Sequence, residues 1–178
     1  MLGEANCIRS LGLIAEESAD STEARQRYEE ALPLYRAVKD WLGEASCIFR
    51  LGRIAHALAA YGDAQRQFDA ALPLFRQIGS VRGEANGFFG LGDVARALSQ
   101  DADARQRYEQ ALALYQRLED QYSIGGAHRQ LARLATSHDR ARHVQAAREA
   151  WLKADRPDLV KNLDEEFGPP PAASATAS

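Results

Sequence analysis

The same residues return every forty positions along this chain. Leu11, Leu51, Leu91 and Leu131 are forty residues apart, followed by Gly12, Gly52 and Gly92, with Ala132 in the last copy. Ala15, Ala55, Ala95 and Ala135 keep the step, as do Ala24, Ala64 and Ala104, then Tyr28, Phe68 and Tyr108, then Ala31, Ala71 and Ala111. A fixed period of this length confines a chain to stacked supersecondary units, each burying its apolar side on its neighbour.

The internal spacing of one copy sets the type of unit. In residues 82–121, Ala85, Phe88, Leu91, Gly92, Val94, Ala95 and Leu98 recur at steps of three and four. Ala104, Tyr108, Ala111, Leu112, Leu114 and Tyr115 do the same, after a polar break at Ser99-Gln100-Asp101-Ala102-Asp103. Those are helix periods, with residues suited to an N-cap between them. No stretch alternates every second residue as a half-buried strand does. The chain is therefore expected to be all-α, a helix–turn–helix repeated in tandem. A Gly inside a helix costs about 1 kcal/mol against Ala. Gly12, Gly52 and Gly92 are thus expected to admit a close neighbour, with Ala24, Ala64 and Ala104 as the small residues facing them. Leu11 and Tyr28, with their equivalents, should fill the space on either side. Cys7 and Cys47 share a slot that holds Gly87 and Ala127 in later copies, so both are expected to be buried packing residues. Equivalent helices of adjacent copies lie about 8–10 Å apart or more, too far for a disulfide.

Leu91-Gly92, Ala95, Ala104, Tyr108 and Ala111, with the same spacings in two further copies, resemble the tetratricopeptide repeat. Tyr61 matches that family's aromatic at the inter-helix turn. The resemblance is strong over residues 2–121 and weak over 122–161. It implies a right-handed superhelical array of helix–turn–helix repeats with a C-terminal capping helix. The repeat here is 40 residues against the family's usual 34, so the extra residues should lengthen the helices where one repeat joins the next. Ile8, Ile48 and Phe88 stand where the family commonly has Trp, and the Ala95 position is usually aromatic there. The forty-residue form with its Gly-Glu-Ala start looks like repeats of Leu-Gly-Asn-type adaptors and of bacterial regulator sensor arrays.

On this register one repeat domain covers 1–167, with repeats at 2–41, 42–81 and 82–121, a degenerate fourth at 122–155 and a cap helix at 156–167. Joins are expected around 39–44, 79–84 and 119–122, with Trp41 sealing one repeat against the next. Pro33 and Pro73 fall inside second helices and should bend them mildly rather than end them. In the fourth repeat a turn is expected at Thr136-Ser137-His138-Asp139, followed by a stripe of Ala141, Val144, Ala147, Trp151 and Ala154. Pro157 then opens a short helix whose apolar side is Leu159, Leu163 and Phe167. Residues 168–178 are low-complexity and are expected to be disordered. The chain starts at a repeat boundary without a shielding cap. Either a preceding part is missing or this end meets something else, self-association end to end being one reading.

Charge and motifs exclude most other functions. The net charge of −3 lacks the basic excess of a nucleic-acid binder. No apolar run approaches the ~18 residues of a membrane span, and the first residues do not read as a secretory signal. A cytoplasmic protein is the expectation. His56, His128, His138 and His143 form no i, i+4 pair of a helical zinc site. Neither a phosphate-binding Gly-Lys-Ser/Thr loop nor a Gly-x-Ser-x-Gly elbow occurs. Neither an enzyme nor a cofactor or metal is expected.

The resemblance implies a concave groove lined by the first helices. Its positions here are Asn6, Arg9, Leu13 and Glu16; Ser46, Phe49, Arg50, Arg53 and His56; Asn86, Phe89, Asp93 and Arg96; then Arg129, Gln130, Arg133 and Thr136. Asn6 and Asn86 can both donate to and accept from a peptide backbone. Phe49 and Phe89 offer apolar contact, and arginine forks suit carboxylates. The groove should be net positive and take an acidic or amphipathic segment of a partner protein. The alternative is a solvated arginine-rich face whose phenylalanines pack between repeats.

Overall fold

The computed structural model describes residues 1–169. Among them are nine α-helices and no strand: α1 (Leu2–Glu17), α2 (Ser21–Ala37), α3 (Trp41–Ala57), α4 (Tyr61–Gln77), α5 (Val81–Ala97), α6 (Asp101–Arg117), α7 (Gln121–Leu134), α8 (Ser137–Lys153) and α9 (Pro157–Phe167). The all-α hairpin repeat is present as expected. The chain forms two compact units, Met1–Leu114 and from Tyr115 onward. Most of the tail expected to be disordered lies outside the described residues.

Each helix from α2 to α6 has 17 residues, and only three residues separate it from the next. The longer repeat is thus spent on helix, as its spacing implied. Gly43-Glu44 and Gly83-Glu84, expected at the joins, lie inside α3 and α5. The polar break of the third copy is likewise shorter, because Asp101, Ala102 and Asp103 already belong to α6. The helix runs on through Pro33 and through Pro73.

The three-residue links share one chemistry. Residues Ala19, Lys39, Ala59, Ser99, Glu119 and Asp155 have φ between 52° and 58°, and Gly79 has 68°. At the first link the Asp20 N–H returns to Ala15 O and the Ala19 N–H to Glu16 O, at 2.9 and 3.0 Å. This is the Schellman closure, which satisfies two carbonyls left over at a helix end. Where the residue after the left-handed one is Asp, its side chain caps the following helix. Asp20 accepts from Thr22 N and Glu23 N, Asp40 from Leu42 N and Gly43 N, and Asp120 from Ser123 N. Left-handed backbone is costly for any residue with a Cβ. Ala59→Gly is therefore expected to stabilise the chain by about 1 kcal/mol, and Gly79→Ala to destabilise it by a similar amount. Both sites are exposed and a Cβ at Gly79 would meet nothing, so urea midpoints read the backbone term alone.

The helical glycines are notches for aromatic rings. A Cβ on Gly12, Gly52 or Gly92 would stand 2.8, 2.8 or 2.6 Å from Tyr28, Phe68 or Tyr108. The nearest neighbours of these glycines are the rings, and Ala24, Ala64 and Ala104, expected to face them, are fully buried. A second set of notches joins successive hairpins of the first unit. A Cβ on Gly43 would lie 2.2 Å from the Tyr35 ring, and one on Gly83 the same distance from Phe75. Next to each notch an ion pair crosses the join, Arg36 Nε to Glu44 Oε1 and Arg76 Nε to Glu84 Oε1, both 2.7 Å. The Gly-Glu-Ala start of a repeat is thus a socket: Gly for the ring, Glu for the arginine beside it, and a fully buried Ala.

Three burial expectations fail, two of them for one reason. Leu51, Leu91 and Leu131 are buried, but Leu11 is 48% exposed. Cys47 is buried and Cys7 exposed. The α3 side chains Cys47, Leu51 and Ile54 pack on Tyr28, Ala31 and Tyr35 of the preceding hairpin. The equivalent α1 residues Cys7 and Leu11 meet no such set among the described residues. Trp41 opens α3 and is 39% exposed rather than sealing a join.

In the second unit the α7–α8 link is Ala135 and Thr136 in extended backbone, shorter than the expected turn. Val144, Ala147 and Trp151 of α8 form the core with Ala132 and with Leu163 of α9, and Leu159, Val160 and Phe167 pack around it. Ala150 is buried where Ala141, expected in the stripe, is exposed. Pro157 opens α9 as expected.

Candidate interaction face

Second-helix tyrosines reach through to the first-helix side of the first unit. The Tyr35 hydroxyl accepts from Arg9 Nε at 3.0 Å and donates to Asn6 Oδ1 at 2.8 Å. The Tyr28 hydroxyl donates to Glu16 Oε2 at 2.6 Å, and Arg50 Nη1 donates to the same oxygen at 2.7 Å. Arg53 Nη1 stands 4.0 Å from Glu16 Oε1. The Tyr108 hydroxyl donates to Asp93 Oδ1 at 2.7 Å. Burial of these rings, then the carboxylates beside Tyr28 and Tyr108, pushes the phenols above their ordinary range, against opposing arginines. They stay neutral donors.

The second repeat has Phe68 and Phe75 in those places, and Phe49 leans on both, at 5.5 and 6.3 Å between centroids. Phe89 lies 5.3 Å from Tyr108. Both phenylalanines are half-buried. Ser46, Asn86 and Arg96 are also half-buried, on α3 and α5, with Arg96 against the Tyr108 hydroxyl. Asn6 and Arg53 are exposed.

In the second unit Arg129 and Arg133 sit one turn apart on α7 and grip one carboxylate. Arg129 Nε donates to Glu166 Oε2 at 2.7 Å, and Arg133 Nε to Glu166 Oε1 at 2.6 Å. Burial alone would raise the Glu166 pKa, but Arg133 and Arg129 overcome it and hold the carboxyl below the usual range. Glu166 belongs to α9, whose Arg148–Asp164 ion pair and apolar side fix it to α8. Sequence reasoning found the arginines but neither the phenols nor Glu166. The signal for the phenols was the Tyr/Phe exchange at positions 28, 68 and 108.

Other chemistry is sparse. Among the described residues no group of three or more His, Cys, Asp or Glu could hold a metal. Burial pushes the Cys47 thiol up to about 12, far from a reactive thiolate. His128 on α7 and His143 on α8 meet through their Nδ1 atoms at 3.0 Å. Burial, then His143 and Arg142, lowers the His128 pKa to about 4. The folded state therefore binds this proton later than the unfolded chain, whose histidine titrates near 6.5. Stability is expected to be full above pH ~6.5 and to fall as the pH drops toward ~4. Urea midpoints at stepped pH check this, and His128→Gln should flatten the slope in that window.

No helix of the described residues is long and apolar enough to cross a membrane. Among the solved structures similar in fold are the following three. Apo RapI gives a TM-score of 0.77 at 14% identity, covering 92% of this chain and 64% of that one. BtubC (BKLC) from P. vanneervenii gives 0.61 at 16%, covering 96% and 85%. The nearly identical TPR-like repeats of a Podosopora anserina protein give 0.63 at 12%, covering 92% of each. No curated protein sequence matches the chain. The tetratricopeptide repeat profile matches residues 4–77 and again 44–117, in register with the hairpins. With glycine notches, matched aromatics and that profile over most of its length, this chain belongs to the tetratricopeptide repeat family.

Proposed function

We propose that this chain is a cytoplasmic, non-enzymatic scaffold for protein–protein interaction, binding an acidic or amphipathic segment on its first-helix side. One observation carries the reading. The acidic, amphipathic α9 of the chain itself places Glu166 on Arg129 and Arg133. That is the recognition proposed for a partner, made in cis. In the first unit the same roles fall to Arg9, Arg50, Arg53 and Arg96 for carboxylates. Asn6, Ser46 and Asn86 serve peptide backbone, and Phe49 and Phe89 serve apolar side chains.

Arg50, Arg53 and Phe89 changed together to Ala should lower recovery of the partner in a pull-down by tenfold or more, at about 1.5–3 kcal/mol per charge-assisted hydrogen bond. Arg25→Ala, exposed on α2, should leave recovery unchanged. Undiminished recovery by the triple variant would place binding elsewhere.

A further inference from the structure

His128 stands in a slot that the other repeats keep apolar. Ile8, Ile48 and Phe88 precede it at steps of forty residues. Ile48 and Phe88 are 4% and 6% exposed, inside the core. Packing alone would be served by a further Ile or Phe. The fourth repeat instead puts an imidazole on α7 and sets a second, His143, opposite it on α8, with Nδ1 to Nδ1 at 3.0 Å. A polar ring taken out of water costs stability unless it finds a partner, and these two are paired with each other. Sequence spacing hides the pair, because its members come from two helices rather than from one i, i+4 turn.

We infer that His128 and His143 form a two-histidine site for a late first-row divalent metal ion, Cu(II) being the best fit. Two nitrogens 3.0 Å apart, each about 2.0–2.1 Å from one ion, subtend roughly 95° at it. That is close to the cis angle of a tetragonal ion such as Cu(II), and short of the ~109° of tetrahedral zinc. Imidazole suits this class of ion, and Cu(II) heads its affinity order. No third His, Cys, Asp or Glu of the described residues joins the group. Both rings are half-buried, so water reaches them and takes the remaining positions on the ion. The rings lie 5.2 Å apart between centroids and are tilted by 39°, head to head as their hydrogen bond requires. A turn of each about χ2 aims both Nδ1 lone pairs at one ion. The proton that one Nδ1 now donates passes through solvent to Nε2 of its own ring, so both rings stay neutral and no proton is lost. Arg142 acts on His128 with a repelling charge, but Asp139 pairs with that guanidinium at 3.3 Å. The inference does not depend on the proposed groove, because none of its residues is shared.

The test titrates the metal-free full chain with Cu(II) at neutral pH. One equivalent is expected to bind, with an electron paramagnetic resonance spectrum split by two nitrogens. His128→Gln and His143→Gln should each weaken binding by at least the roughly tenfold that losing even an outer partner of a metal ligand costs. Each should also remove the two-nitrogen pattern. His138→Gln, exposed at the start of α8, should leave both unchanged. A second measurement needs no variant. Cu(II) added well below one equivalent to the native chain should broaden the ring-proton resonances of His128 and His143 before those of His56 and His138. A native chain that binds no Cu(II) overturns the site. So does Cu(II) that binds both single variants as tightly as the native chain, or that broadens His56 or His138 first. Zn(II) binding as tight as Cu(II) overturns the assignment to a tetragonal ion.

Discussion

Gly83→Ala is expected to destabilise the chain by about 3 kcal/mol, the upper part of the range for overpacking a filled core. Gly3→Ala, forty residues apart twice over in the same repeat position, is expected to be neutral or to stabilise by up to about 1 kcal/mol, the helix propensity gained. At Gly83 the new methyl would stand 2.2, 2.5 and 2.6 Å from three atoms of the Phe75 ring. That ring is 5% exposed and has Phe49 edge-on at 6.3 Å, so it has nowhere to retreat. The neighbouring Arg76–Glu84 pair would be disturbed with it. At Gly3 nothing lies within 4 Å. Propensity alone favours Ala at both positions, so opposite signs in urea midpoints isolate the notch. Similar shifts for the two variants would mean that ring-on-backbone contact does not hold the hairpins together.

This contrast shows what the sequence could and could not convey. The period announced hairpins, and a glycine held inside a helix at each step announced a close approach. It did not say which atoms approach. Ala24 was the natural counterpart of Gly12 by size, and the atoms nearest to Gly12 belong to the Tyr28 ring. Burial could not be read from the slot alone: Leu51 and Leu11 are the same letter in the same slot, at 8% and 48% exposure. The left-handed links were nearly silent, because Ala19, Lys39, Ala59, Ser99 and Glu119 occupy a conformation for which only Gly79 is a signal. On the interaction face the arginines could be placed from register. Their carboxylates could not, since Glu166 lies 33 residues from Arg133, in a region where the repeat spacing has been lost.

Trp151→Ala is expected to cost about 3–5 kcal/mol, the range for removing a buried aromatic, and to loosen α9 along with it. The indole is 3% exposed, lies over Gly125, and donates from Nε1 to the Tyr122 carbonyl at 3.0 Å. Its ring shares one core with Val144, Ala147 and the fully buried Leu163, and so forms the floor for α9. Without that floor α9 keeps its ion pairs from Arg148, Arg129 and Arg133 but loses its apolar support. The Glu166 pairs, still partly exposed to solvent, are each worth about 0–1 kcal/mol, and the attraction in the more buried Arg148–Asp164 pair is largely offset by its desolvation, so these pairs do not hold the helix alone. Amide exchange across residues 157–167 should therefore accelerate more than exchange in α1–α5. Glu166→Gln offers the converse case: the floor remains, so stability should fall by under about 1 kcal/mol, while the arginine pair on α7 is released. If Glu166→Gln frees α9 as thoroughly as Trp151→Ala does, then charge rather than the indole floor anchors this helix.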